Sequence, residues 1–141
     1  MPFETPQDAE DAFYDALEGA DPAAMDGIWE PSDAIGCLLP MAPMVQGRAV
    51  LDLLRSLLEQ NGPVDVEVRH LSWIEAGDMA IHLIEERLPA VPGQPGPAPL
   101  LYAANAFRKG ADGWRMVLHQ NSPAPPPPGS QPPPGIGPSG S

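Results

Sequence analysis

The chain has 141 residues, the length of one domain, and 43% of them are hydrophobic, enough to form a core. Its formal net charge of −12 repels nucleic-acid phosphates and anionic lipid head groups, so we expect neither partner. The single cysteine excludes an internal disulfide and a cysteine-based zinc site. We expect a cytoplasmic protein, since no apolar run is long enough to span a membrane and the N-terminus lacks the features of a signal peptide.

Proline and glycine are concentrated near the C-terminus. Of the last 19 residues, 16 are proline, glycine or serine, and such a segment cannot bury enough apolar surface to offset the entropy of ordering. We therefore predict one domain over residues 1–122 and a disordered tail over residues 123–141. Alternatively, the polyproline runs of the tail bind an aromatic groove on a partner protein.

The first half of the domain predicts three helices and one short strand. Thr5 followed by Pro6 is typical of a helix start, because threonine caps free backbone N–H groups and proline fits the first turn. Asp21 and Pro22 repeat this pattern. Apolar residues recur at three- and four-residue spacing after each start. The predicted helices cover residues 6–19, 22–29 and 48–60, and the strand covers residues 34–39.

The second half predicts four longer strands. Apolar and charged residues alternate from Val64, as in a half-buried strand, and glycine with aspartate marks the turns. Further strands begin at Met79, Leu100 and Trp114. Because helices and strands occupy separate parts of the chain, we predict an α+β fold in which one curved, mainly antiparallel sheet covers the helices.

This order of elements and three local patterns resemble a known family. The patterns are FYDALEGADPAAM from Phe13, GRAV at the start of the third helix, and DGWRMVLHQNSP at the end of the domain. Over about residues 9–123 the chain resembles the SnoaL-like branch of the nuclear transport factor 2-like superfamily, which includes ketosteroid isomerases and polyketide cyclases. The resemblance implies a cone-shaped fold with a strongly bent sheet, a pocket open at one end, and a homodimer formed through the outer sheet face.

The resemblance allows the functional residues of the ketosteroid isomerases to be compared with the matching positions of this chain. The position of the isomerase general base is held by Leu39, which cannot accept a proton. The acid that donates to an oxyanion in the isomerases is matched by Asn105, and the donor tyrosine by Tyr14 or, with a shift of one residue, by Phe13. The chain therefore lacks the base that this mechanism requires.

The last strand contains the strongest catalytic candidate. Aligned on the resemblance, Val117, His119 and Asn121 face the pocket. His119 can act as an acid or a base near neutral pH. Together with His70, Asn105 and Asn121 it would form a polar floor in an apolar pocket, which is typical of small-molecule sites. Alternatively, each histidine bonds a backbone carbonyl in the core.

Two neighbouring glutamates point to opposite faces of the strand that begins at Met79. Glu85 could replace the missing base if the odd-numbered residues face inward; alternatively, it pairs with Arg87 or faces solvent. His82 and Glu86 share the other face, but two ligands without a third at a defined spacing do not indicate a metal site. We expect neither metal nor cofactor.

A dimer interface is predicted on the outer sheet face. The residues expected there are Trp73, Tyr102, Trp114 and Met116. Alternatively, the proline-rich loop from Pro89 to Pro99 and the tail cover this face.

These observations favour a protein that binds a small apolar metabolite. As an enzyme it would be an isomerase, cyclase or lyase that uses acid–base chemistry, with His119 or Glu85 as base and with Tyr14 and Asn105 as donors. The alternative is a dimerisation or interaction module without catalysis. A catalyst would direct polar groups at one point of the pocket, whereas a module could fill it with apolar side chains. The predicted ligand contacts are Tyr14, Trp29, His70, Asn105, His119 and Asn121.

Overall fold

The computed structural model describes residues 3–89, 93 and 98–125. Residues 126–141 of the predicted tail and most of the proline-rich loop lie outside these residues. The helices are α1 (Pro6–Gly19), α2 (Pro22–Asp26) and α3 (Arg48–Asn61). The strands are β1 (Gly36–Leu38), β2 (Val45–Gln46), β3 (Glu67–Ala76), β4 (Met79–Arg87), β5 (Leu100–Gly110) and β6 (Gly113–Pro123). Pairing continues beyond β6, since the Ala124 N–H donates to the Leu100 carbonyl.

Both predicted helix caps are formed. The Thr5 hydroxyl accepts from the Asp8 N–H at 3.0 Å, and an Asp21 carboxylate oxygen accepts from the Ala24 N–H at 3.1 Å. Helix α2 is shorter than predicted, because the chain turns at Gly27 and Ile28, and Trp29 then forms a bridge with Met116 of β6. No helix in the described part of the chain is both long and apolar enough to cross a bilayer.

The strands form one open, curved sheet in the order β2-β1-β6-β5-β4-β3. Strand β1 runs parallel to β6, and the other pairs are antiparallel. The predicted α+β fold is confirmed. The core lies between the concave face of this sheet and the helices, and its largest buried side chains include Phe13, Trp29, Phe107 and Met116.

Strand β4 shows which face of the sheet is the inner one. Its even-numbered residues are buried, whereas the odd-numbered ones are partly exposed. Glu86 therefore points inward. Glu85 lies on the outer face, where its Oε1 is 3.6 Å from Nε of Arg69. The inward orientation considered for Glu85 is wrong, because this strand buries the opposite set of side chains.

Two β-bulges change the predicted outer face. A bulge after His70 pairs Trp73 with the buried His82, so Trp73 lies on the inner face. The irregularity between β5 and β6 pairs Met116 with Phe107, and Met116 is completely buried. Trp114 lies two residues before Met116 on the same face of β6 and packs against the core. The prediction is therefore wrong for these three residues, because each bulge shifts the alternation of side chains by one position.

Candidate functional site

The helices and the concave sheet face line an open cavity of about 140 Å³. Most of its wall is apolar, and Leu39, at the position of the isomerase base, belongs to this wall. Three polar side chains, Glu86, His119 and Asn121, contribute the rest together with Asn61. The apolar lining residues are Phe13, Leu17, Leu39, Leu54, Leu57, Leu58, Val64, Val66 and Leu88.

Glu86 is held by two hydrogen bonds. The Tyr14 hydroxyl donates to Oε2 at 2.6 Å, and Nδ2 of Asn121 donates to Oε1 at 2.9 Å. Burial, together with the nearby charge of Glu86 and this hydrogen bond, raises the pKa of Tyr14 well above its usual value. Tyr14 therefore remains a neutral donor that orients the Glu86 carboxylate toward the cavity.

The side chain of Asn105 forms hydrogen bonds with Glu10, Tyr14 and His119. Its Nδ2 donates to Oε2 of Glu10 at 2.9 Å and to the Tyr14 hydroxyl at 3.1 Å. Its Oδ1 lies 2.6 Å from Nδ1 of His119. Because a carboxylate only accepts hydrogen bonds, the amide orientation is fixed and Oδ1 must accept. The His119 proton therefore lies on Nδ1, which leaves the lone pair on Nε2.

His119 lies at the polar end of the cavity. Burial lowers the pKa of this histidine, although the charges of Glu86 and Glu10 oppose the effect. The ring is therefore neutral at pH 7. Its Nε2 lies 3.8 Å from Oε2 of Glu86, and the ring contacts Phe13 at a centroid distance of 4.9 Å. A neutral imidazole beside a carboxylate is a pair of groups that can accept and return a proton.

Cys37 pairs with His119 in the parallel register of β1 and β6. Burial, followed by the negative charge of Glu86, raises the pKa of the Cys37 thiol to about 11. Because the thiolate is the nucleophilic form, this cysteine is inert at neutral pH in spite of the histidine beside it.

A second polar cluster surrounds Glu10, on the other side of Asn105. Oε1 of Glu10 lies 2.6 Å from Nε2 of His70 and 3.2 Å from Nδ1 of His82. The second contact lacks hydrogen-bond geometry. Burial raises the pKa of Glu10, but the contacts with His82, Asn105 and His70 outweigh burial and hold it below its usual value. Glu10 is therefore a buried carboxylate.

The predicted site residues are divided between these two clusters. His119 and Asn121 line the cavity, and Tyr14 and Asn105 lie directly behind its polar end. His70 lies beside Glu10 in an open groove between α1 and β3 instead.

Two other predicted site residues lie apart from both clusters. Trp29 is buried in the core, with its ring centroid 6.3 Å from that of Phe13, and it does not line the cavity. Glu85 faces away on the outer side of the sheet. Neither residue can contact a molecule in the cavity.

Three residues of the clusters were not recognised as site residues from the sequence. Glu10 precedes Phe13 by three residues and Tyr14 by four, a spacing that puts a carboxylate on the same helix face and could have identified it. Glu86 and His82 lie on the same face of β4, but the alternation of side chains along a strand does not by itself show which face is the inner one.

The open α+β cone with a polar-ended cavity is the nuclear transport factor 2-like fold, whose members commonly bind small molecules and form dimers. The family model described as "SnoaL-like domain" matches residues 7–126. The chain belongs to the SnoaL-like domain family.

Solved structures support this membership. A candidate calcium/calmodulin-dependent protein kinase type II association domain from Thiobacillus denitrificans is 36% identical, with a TM-score of 0.80 over 89% of this chain and 99% of that chain. A candidate dehydratase of the NTF2-like family from Streptomyces avermitilis is 26% identical, with a TM-score of 0.72 over 84% and 92%. A ketosteroid isomerase-like protein from Erwinia carotovora atroseptica is similar in fold, at 16% identity and a TM-score of 0.65 over 85% and 94%. Comparison with curated proteins finds no match.

Proposed function

We propose that this SnoaL-like protein binds a small, largely apolar molecule in its cavity and moves a proton on that molecule. The observation that carries the proposal is the convergence of Glu86, His119 and Asn121 at one end of a cavity whose other lining residues, except Asn61, are apolar. An interaction module without a ligand has no need for such convergence, because apolar side chains would fill the space at lower cost.

The size of the cavity limits the ligand. A cavity of about 140 Å³ is close to the roughly 150 Å³ that holds benzene in an engineered apolar cavity. The part of the ligand that lies in the cavity is therefore the size of a single ring or a short branched chain, much smaller than a steroid.

The polar end supports a ligand with a hydroxyl or carbonyl group. Oδ1 of Asn121 is buried and has no hydrogen-bond partner among the residues that the structure describes, so it can accept a bond from a ligand hydroxyl. Nε2 of His119 and the carboxylate of Glu86 are the two groups that can accept a proton from the ligand. Tyr14 and Asn105 orient them through the bonds described above.

This arrangement supports reactions that begin with removal of a proton next to a carbonyl. Isomerisations, cyclisations and eliminations can all begin with such a step. Acid–base catalysis by one group typically increases the reaction rate by about 10² to 10⁴. The residues proposed as bases are Glu86 and His119, and Glu85 has no part in this step.

A homodimer is the second part of the proposal. The outer face of the sheet carries apolar side chains on four adjacent strands. Two of these side chains, Ile74 and Tyr102, are 50% and 41% exposed. Small alanines at the centre of this face would let a second, twofold-related sheet pack closely. The residues proposed for the interface are Ile74, Ile81, Leu83, Tyr102, Ala104 and Leu118.

Binding can be measured with phenol and benzene as probes in ligand-detected NMR. We expect both to bind, and phenol to bind more tightly because Asn121 can accept from its hydroxyl. Leu57→Phe should abolish binding by filling the cavity. Leu53→Phe is the matched control, since Leu53 lies on the same helix but does not line the cavity. Absence of phenol binding, or equal loss in both variants, would refute the cavity as a ligand site.

Proton transfer has its own test. Exchange of the α-protons of cyclohexanone for deuterium in D₂O should be accelerated by the protein. His119→Gln and Glu86→Gln should each reduce the acceleration by about a hundredfold or more while leaving phenol binding measurable. Binding without any acceleration would support the non-catalytic alternative instead.

A further inference from the structure

We propose that Glu10, His70 and His82 bind a divalent first-row transition-metal ion, for which Zn²⁺ is the probe. This site goes beyond the proposed function, since it opens into the groove between α1 and β3 and not into the ligand cavity. One ligand atom from each of the three side chains lies within 4.8 Å of the others.

The donor set determines the kind of ion. Two imidazoles and one carboxylate suit zinc, iron, cobalt, nickel or manganese, whereas calcium and magnesium prefer sets of oxygen ligands. His82 and Glu86 lie on the same face of β4, but two residues are too few to hold an ion. The third donor comes from helix α1, which brings Glu10 to both histidines.

The distances are close to those that a bound ion needs. With metal–ligand bonds of about 2.0 to 2.2 Å, tetrahedral ligands lie roughly 3.3 to 3.6 Å apart. The 3.2 Å between Glu10 and His82 is just below this range. The 2.6 Å between Glu10 and His70 has to lengthen, which His70 can accommodate because its side chain is 34% exposed on an edge strand.

His82 supplies an independent observation that points to a ligand. The residue is completely buried, yet neither ring nitrogen has a hydrogen-bond partner within the described part of the chain. Its ring is stacked on Trp73 at a centroid distance of 4.3 Å and an interplanar angle of 9°, which holds the ring plane, and Nδ1 lies 3.2 Å from Oε1 of Glu10. Buried polar groups are nearly always partnered, and a metal ion would be the partner of Nδ1.

The surroundings also favour a cation. Asn105 donates to Oε2 of Glu10 and leaves Oε1 for the ion, as the hydrogen-bonded carboxylates of metal sites do. The groove beside the site carries Asp11 and Asp15, whose negative charges attract cations. The free coordination positions would face this groove, so water or a substrate oxygen could complete the shell.

The experiment uses the full chain, with any affinity tag removed and metals stripped by a chelator, and follows Zn²⁺ binding by calorimetry. We expect one ion per chain, with no competition from Ca²⁺. Replacement by Co²⁺ should produce the visible absorption bands of a site with mixed nitrogen and oxygen ligands. His70→Ala and Glu10→Gln should each weaken Zn²⁺ binding by about a hundredfold or more.

His70→Ala is the decisive variant, because His70 is at the surface and its loss is compatible with folding, which circular dichroism would verify. Asp15→Asn is the matched control, because it removes a charge from the same groove but no ligand, and it should change the affinity only a few-fold. The proposal is overturned if Zn²⁺ does not bind at micromolar concentration, or if Asp15→Asn weakens binding as much as His70→Ala does. Since the probe is the metal alone, neither outcome affects the cavity proposal.

Discussion

A single amide, Asn105, determines how His119 can act. Its Nδ2 donates to Glu10, so its Oδ1 must accept the hydrogen bond from the Nδ1–H of His119. His119 therefore presents an unprotonated Nε2 at the cavity, and burial keeps the ring neutral by lowering its pKa. The protonation state that a general base needs is thus set by a neighbouring side chain, and the same arrangement predicts how stability depends on pH.

The pH prediction follows from the sign of the His119 shift. Because the pKa of His119 is lower in the folded state than the ordinary value of about 6.5, the unfolded chain binds this proton more tightly. The contribution to stability is complete above about pH 6.5 and decreases as the pH falls below it. We expect the wild-type protein to lose more unfolding free energy between about pH 7.5 and pH 5.5 than His119→Gln does.

Urea unfolding at the two pH values measures this difference. The range stays above the ordinary pKa of a glutamate, so the stabilising carboxylate of Glu10, whose contribution is lost only in more acidic solution, does not contribute. Equal losses in both proteins would mean that the pKa of His119 is not lowered in the folded state.

Helix α1 is the element on which the site depends most, because it carries Glu10, Phe13 and Tyr14. Its start depends on the Thr5 hydroxyl, which accepts from the Asp8 N–H. We expect Thr5→Ala to lower the free energy of unfolding by about 1 kcal/mol, as the loss of an N-cap typically does. Thr5→Ser keeps the hydroxyl and should retain most of the stability. Denaturant titration compares the three proteins, and equal stability of Thr5→Ala and wild type would exclude a role for the cap.

At the scale of the whole molecule, the outer sheet face predicts a dimer. A charge at its centre should prevent association, because a stable interface buries about 800 Å² per partner around an apolar centre. We expect Ala104→Glu to be monomeric in sedimentation at micromolar concentration, and the wild type to be dimeric. Ala49→Glu, the same change on the exposed side of α3, should remain dimeric. A monomeric wild type would refute the dimer, and a dimeric Ala104→Glu would place the interface elsewhere.

Most of the fold could be predicted because its signals are local. Thr5 and Asp21 cap helices through bonds that span only three residues, and the alternation from Val64 reports burial on one side of a strand. The resemblance of the last strand to the SnoaL-like family then led to His119 and Asn121, which do line the cavity.

The choice between Glu85 and Glu86 could not be made in this way. Both faces of β4 are apolar enough to be buried, so its period of two residues is compatible with either orientation. Only the packing of α1 and α3 against the sheet decides which face becomes the inner one.

The amino-acid sequence by itself determined the helix starts and the α+β class, because short-range caps and periodicity contain that information. The two residues of the last strand that reach the cavity were indicated by the resemblance to the SnoaL-like family. Only the tertiary structure decided that Glu10 from a helix meets His70 and His82 from two strands, and that bulges turn Trp73 and Met116 inward. Contacts between residues 60 or more positions apart depend on how helix and sheet pack, and one extra residue in a strand reverses the face of every side chain after it.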